Sequence, residues 1–142
     1  MEAISTKTDE FSNLLRSFLY KILAHKDCPA VIQTKKNKIK LIFSFMPEIV
    51  IDFLGPVLYT YREEIYKQNE KFFMNFDLVQ KHLPPLDIIS PEQISEIFTA
   101  ICTKFYPILT SEEITEYWSQ INQLLLIYID YQIAYATYKN GK

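Results

Sequence analysis

The stretch Ser111–Tyr138, SEEITEYWSQINQLLLIYIDYQIAYATY, decides the fold. No Gly or Pro interrupts it. Ile114, Tyr117, Trp118, Ile121, Leu124, Leu125, Tyr128, Tyr131 and Tyr135 recur in steps of three and four, the stripe of one helix face. Between Leu124 and Ile129 the segment is apolar all round, the pattern of a central helix with others packed on it. As a helix it is about 42 Å long, enough to cross a small domain. Thr110 is placed to cap it and Glu113 to reach back, while Asn140-Gly141 is a helix-ending pair.

Working outward, Ser90-Pro91-Glu92-Gln93 is a second strong helix start, with Ser90 as the N-cap and Gln93 in a capping box. Ile94, Ile97, Phe98, Ile101 and Phe105 form its apolar face, and Pro107 ends it. The segment before it, His82-Leu83-Pro84-Pro85-Leu86, reads as an extended loop. Gly55-Pro56 reads as the end of a short apolar helix and the start of the next, whose inner face is Leu58, Tyr61, Ile65 and Phe72. Val31–Met46 supports a helix, with the region of Asn37 as a point of interruption and KIKLIFSF also tolerating a strand. At the start, Thr8 is placed as the cap of a helix built on Phe11, Leu15, Phe18 and Ile22, and residues 1–7 read as a flexible tail. The expected fold is therefore all-α. It is a single domain over residues 8–142, a bundle of about five helices and a short one around the C-terminal helix.

Composition agrees with a packed interior. Of the 142 residues, 49% are hydrophobic and 15% aromatic, too many for a disordered chain. Only two glycines leave no room for Gly-rich phosphate loops. The formal charge of −2 gives no general attraction to nucleic acid or an anionic membrane. Heavy use of Ile, Lys, Tyr and Phe is the signature of an AT-rich genome. MEAISTKTDE has no apolar core of a secretory signal, and Asp130 in mid-span argues against a transmembrane reading of the last helix.

Chemistry-bearing residues are sparse. His25 and His82 lack the Cys or carboxylate spacing of a zinc site and read as surface residues, and no metal or other cofactor is expected. Cys28 and Cys102 lie far apart, which suits a reducing compartment; Cys102 reads as a small core residue. Glu63-Glu64, Glu112-Glu113 and Glu116 read as a solvated face or helix-dipole partners and not as an acid/base pair. With no catalytic set, the chain is read as non-enzymatic.

Two surface candidates remain. Lys35, Lys36, Lys38 and Lys40 form the one concentrated basic patch and are the residues for a phosphate contact, although no arginine or interleaved aromatic accompanies them and nucleic acid is not favoured. Tyr131, Tyr135 and Tyr138 continue past the densest apolar segment. Tyrosine joins an apolar body to a polar tip, so these three are the candidate protein interface.

The segment YREEIYKQNEKFFMN, the Pro-punctuated stretch after it, ISPEQISEIFTAI and LTSEEITEYWSQINQLLLI together resemble a group of small helical proteins encoded by large nucleocytoplasmic DNA viruses. The features that carry the likeness are Asn69-Glu70-Lys71-Phe72-Phe73, Thr110-Ser111 and Trp118, over roughly Tyr59 to Ile127. The resemblance implies a viral, intracellular, helical protein of the host cytoplasm or virion and carries no activity. The leading expectation is thus a structural or interaction protein that meets a viral or host partner or itself. The alternative is a Bcl-2-like regulator of host cell death or signalling, suggested by size and a hydrophobic central helix. A further alternative is a nucleic-acid-associated protein using the lysine patch.

Overall fold

The computed structural model describes residues 2–45, 47–69 and 89–140. Among them there is no strand, and seven α-helices follow one another: α1 (Glu2–Ala24), α2 (Ala30–Gln33), α3 (Lys36–Phe45), α4 (Val50–Thr60), α5 (Arg62–Tyr66), α6 (Pro91–Ala100) and α7 (Ser111–Asn140). The protein is all-α, as the sequence predicts. Phe72, Phe73, Phe76, His82 and the Leu83–Leu86 loop lie outside the described residues.

α1 and α7 form the most extensive helix pair. Their ion pairs give the register: Lys7 meets Asp130 at 3.8 Å, Lys21 meets Glu116 at 2.6 Å and His25 meets Glu113 at 3.3 Å. As the number rises along α1 it falls along α7, so the two run antiparallel. Phe11, Leu15, Phe18 and Ile22 of α1 are buried, as are Trp118, Leu124, Leu125 and Tyr128 of α7. Each buries at the helical period, and each such side chain contributes about 1.5–3 kcal/mol by leaving water.

Both capping boxes form. Ser90 Oγ accepts from Gln93 N at 3.1 Å while Gln93 Oε1 accepts from Ser90 N at 3.2 Å. Thr110 Oγ1 accepts from Glu113 N at 3.2 Å while Glu113 Oε1 accepts from Thr110 N at 2.9 Å. Between these two starts, α6 passes into a π-turn (Ile101–Phe105) and a 3-10 turn (Tyr106–Ile108) that carries Pro107, so the α-helix is spent before the proline. The wider turn directs Cys102, Phe105 and Tyr106 into the interior.

Three boundaries differ from the sequence reading. Where the sequence reading has a flexible tail over 1–7, residues 2–7 are helical: α1 starts at Glu2, and Thr8 is inside it, its Oγ1 donating to Ile4 O at 2.9 Å. Lys7, in these early turns, reaches Asp130 of α7 at 3.8 Å, a contact no local cap reports. Val31–Met46 breaks at Thr34–Lys35, ahead of Asn37, and KIKLIFSF is helical because Ile39 and Phe43 share a buried face.

Gly55-Pro56 does not end a helix. α4 runs through both. An interior proline costs about 3 kcal/mol through its lost N–H and its clash with the carbonyl four residues back. Pro56 is exposed, and burial of Ile51, Leu54 and Val57 offsets the penalty. The break comes instead at Tyr61, and α5 closes with Gln68 in the left-handed region at φ 52.

α7 is also less enclosed than its apolar centre suggests. Leu126 is 56% exposed and Ile133 60% exposed. One broad face of α7 covers α1, α4 and α5, and the opposite face, with Gln123, Leu126 and Ile133, is open. Among the described residues no single helix is long and apolar enough to cross a membrane. Lys36–Phe45 with Pro47–Thr60 reaches that length and composition only as a pair bent by 90°.

Candidate protein-docking cleft

The antiparallel register leaves the end of α7 beyond Asp130 with little of α1 beside it, since Lys7 already pairs with Asp130. The neighbour that remains is α4. Here Tyr128, 7% exposed, lies over the backbone of Gly55. One turn on, Tyr131 donates from its hydroxyl to Asp52 Oδ1 at 2.8 Å. Gln132 Nε2 donates to the hydroxyl oxygen of Tyr128 at 3.1 Å. Tyr135, a further turn along, is exposed.

The rings form a column. Tyr59 and Tyr128 have centroids 6.4 Å apart, Tyr128 and Tyr131 are stacked at 6.1 Å, and Tyr131 and Tyr135 are 6.2 Å apart. A cation lies at each end: the Arg62 guanidinium 4.2 Å over the Tyr59 ring, and Lys139 Nζ 5.8 Å from the Tyr135 centroid. Beside the column opens a cleft of about 420 Å³ lined by Asp52, Tyr128, Tyr131, Gln132, Tyr135, Ala136 and Lys139. That volume lies within the range of ligand-binding clefts, roughly 300–1,000 Å³. Burial, then the hydrogen bond to Asp52 and its charge, push the Tyr131 hydroxyl up to about 12. Burial first, then the Asp52 charge, also raise Tyr128. Both hydroxyls therefore stay protonated near neutrality.

Of the tyrosines singled out from sequence, Tyr131 and Tyr135 line the cleft, while Tyr138 is half-buried and outside it. The sequence reading missed Asp52. It lay in a helix expected to stop at Gly55, so nothing placed it opposite a residue 79 positions away.

The lysine patch is divided. Lys35 reaches Glu96 at 3.5 Å and Lys38 donates to Gln93 Oε1 at 3.0 Å, both on α6. Lys36 and Lys40 point to solvent on the other side of α3. The four ammonium groups do not share one face.

His25 belongs to a structural clamp. Asp27 N donates to its Nδ1 at 3.1 Å, so the proton of the neutral ring is on Nε2, which faces Glu113. The ring stands edge-on to Phe105 with centroids 5.0 Å apart. Glu113 is held below the usual carboxylate range, first by the Thr110 backbone N–H it accepts and then by the Thr110 side chain and His25. It is an ionised cap. Glu116 is likewise engaged, by Lys21. Among the described residues no group of three His, Cys, Asp or Glu side chains is placed to hold a metal ion.

With both ring nitrogens of His25 engaged, it is not a base for Cys28. Both thiols are free. Burial pushes Cys102 up to about 12 against a weaker lowering by the Tyr117 hydroxyl, 4.0 Å away. Cys28 is raised less and is only half-buried. At pH 8 the native protein should titrate one fast thiol with a disulfide reagent, lost in Cys28→Ser, and the second only in denaturant. Fast native labelling of Cys102 would contradict its burial.

Two further spaces, of about 70 and 80 Å³, lie among apolar side chains and share Leu15, Leu54 and Phe98 between them. They adjoin the core and carry almost no polar lining. No family model matches the chain, and no curated protein or solved structure matches it.

Proposed function

We propose that the chain is a protein-contact module that docks a partner in the tyrosine-lined cleft between α4 and the end of α7. In keeping with the viral resemblance, it acts inside the infected cell or the virion without catalysing a reaction. The observation that carries this reading is the cleft of about 420 Å³ walled by Tyr128, Tyr131 and Tyr135. Tyrosines offer large, stiff contact area with a hydrogen-bonding tip, which is why they concentrate in the anchoring pockets of interfaces. The Tyr131 and Tyr128 rings are held in place by the Asp52 and Gln132 hydrogen bonds, so at these two rings little ordering is left for binding to impose.

The Bcl-2-like alternative calls for an apolar groove able to seat the row of anchors on one face of a helix. The apolar spaces of about 70 and 80 Å³ lie within the core and are too small to seat such a row.

The test is a photo-crosslinking amino acid at position 135, with the same group at the exposed position 33 as control, in cells expressing the protein. A discrete adduct at 135, absent at 33 and lost when Tyr131→Ser is added, supports the reading. Adducts at both positions, or at neither, defeat it. An adduct to a second copy of the chain would make the partner the protein itself.

A further inference from the structure

Asp52 lies in the first turn of α4 and shares the cleft with Lys139. Among the described residues no Lys, Arg or His pairs with it, and its recorded side-chain partner is the neutral hydroxyl of Tyr131. It stands exposed on the wall of the tyrosine cleft. Each carboxylate oxygen accepts in more than one direction, so the Tyr131 bond leaves both oxygens open to a further donor.

Cations already lie against the rings at the two ends of the column. Arg62 covers Tyr59 at 4.2 Å, while Lys139 hovers 5.8 Å from Tyr135, from the last turn of α7. The planar guanidinium makes the closer contact, as expected for a weakly hydrated cation that stacks flat on a ring. Insertion between rings is not available to a ligand. Centroids 6.1 and 6.2 Å apart fall short of the roughly 7 Å that two stacking separations require. An occupant must lie along the column, with its charge toward Asp52. Ala136, small and facing the same cleft, leaves room for it.

We propose that the cleft takes an arginine side chain from an exposed segment of a partner protein, its guanidinium paired with the Asp52 carboxylate and laid against the Tyr135 ring. This rests on the docking reading above and names the chemistry that the docked segment brings. Arginine suits the site better than lysine because its fork of N–H donors meets both oxygens of one carboxylate while its plane stacks on tyrosine. The Lys139 ammonium, on its long flexible stem, moves aside.

The experiment is an amide NMR titration of the full chain with N-acetyl-arginine amide, its neutral isostere N-acetyl-citrulline amide, and phosphocholine. The arginine amide should shift the amides of Gln132, Tyr135 and Ala136, and citrulline should bind about tenfold or more weakly. Asp52→Asn keeps an acceptor for Tyr131 but loses the charge, and should weaken arginine about tenfold as well. Tyr135→Leu, at an exposed position, should weaken it several-fold with the spectrum otherwise intact. Equal response to citrulline, no response at these amides, or tighter binding of phosphocholine would each overturn the proposal. The two readings fail separately. A position-135 adduct that survives Asp52→Asn keeps the docking site and removes the arginine.

Discussion

Trp118→Ala is expected to lower the unfolding free energy by about 3–5 kcal/mol. Trp118 is 3% exposed, at the point where α7 meets the π-turn region. A tryptophan of this burial removes about 150–250 Å² from water, worth about 4–6 kcal/mol at 25 cal/mol per Å², so the transfer term alone accounts for the loss. Its Nε1 also donates to the Tyr106 hydroxyl at 2.8 Å. Its ring stands edge-on to Tyr106 at 6.1 Å and to Tyr117 at 5.4 Å. Truncation removes all of these together and leaves a cavity that the two rigid tyrosines beside it are poorly able to close. Against a total stability of about 5–15 kcal/mol for such a domain, the variant approaches unfolding at ordinary temperature, with a melting temperature lower by roughly 10–20 °C. Urea denaturation followed by circular dichroism measures it. The matched control is Ile133→Ala on the open face of the same helix, expected to change stability by about 0.5 kcal/mol or less. Equal losses at the two positions would mean that α7 does not present the face to the core that the structure shows.

Gly55→Ala is expected to destabilise by about 1–3 kcal/mol, against the sign that helix propensity gives. In an exposed helix interior the change would stabilise by about 1 kcal/mol. Here a Cβ would stand 2.1 Å from Tyr128 Cδ1, 2.4 Å from Cε1 and 2.7 Å from Cγ, closer than carbon atoms approach. The ring gives way only by losing contacts of its own. Gln132 holds its hydroxyl and Tyr131 stacks on it. The steric term therefore wins. The deciding measurement is a double-mutant cycle: in a Tyr128→Ala background the same Gly55→Ala change meets empty space and should become stabilising by up to about 1 kcal/mol. A destabilising effect in both backgrounds would place the obstacle elsewhere. In the single variant the displaced ring also disturbs Tyr131, so arginine binding at the cleft should fall with stability.

Glycine at position 55 thus serves close packing where its neighbour Pro56 suggested a stop. Sequence rules read Gly-Pro as punctuation because both residues weaken a helix when nothing else is present. What they do not include is a tyrosine 73 positions later that occupies the space a side chain would fill. Missing that contact also hid Asp52, because a helix ended at Gly55 gives no reason to look for the partner of Tyr131 one turn before it.

The sequence by itself determined the all-α class, the long C-terminal helix and both capping boxes. Each of these is written within a few residues: three positions separate Ser90 from Gln93 and Thr110 from Glu113, and the period of apolar side chains repeats every turn. It also marked Tyr131, Tyr135 and Tyr138 as residues suited to a surface that meets something else, and the first two line the cleft. Only the tertiary structure decided that α1 begins at Glu2, that α4 continues through Pro56, that the lysines turn to two sides, and that the tyrosines stand over Asp52. In each case the deciding contact joins residues far apart in the chain. Packing energy from a distant helix outweighs the kilocalorie or so that local propensity contributes, and that distance leaves no periodic trace in the sequence.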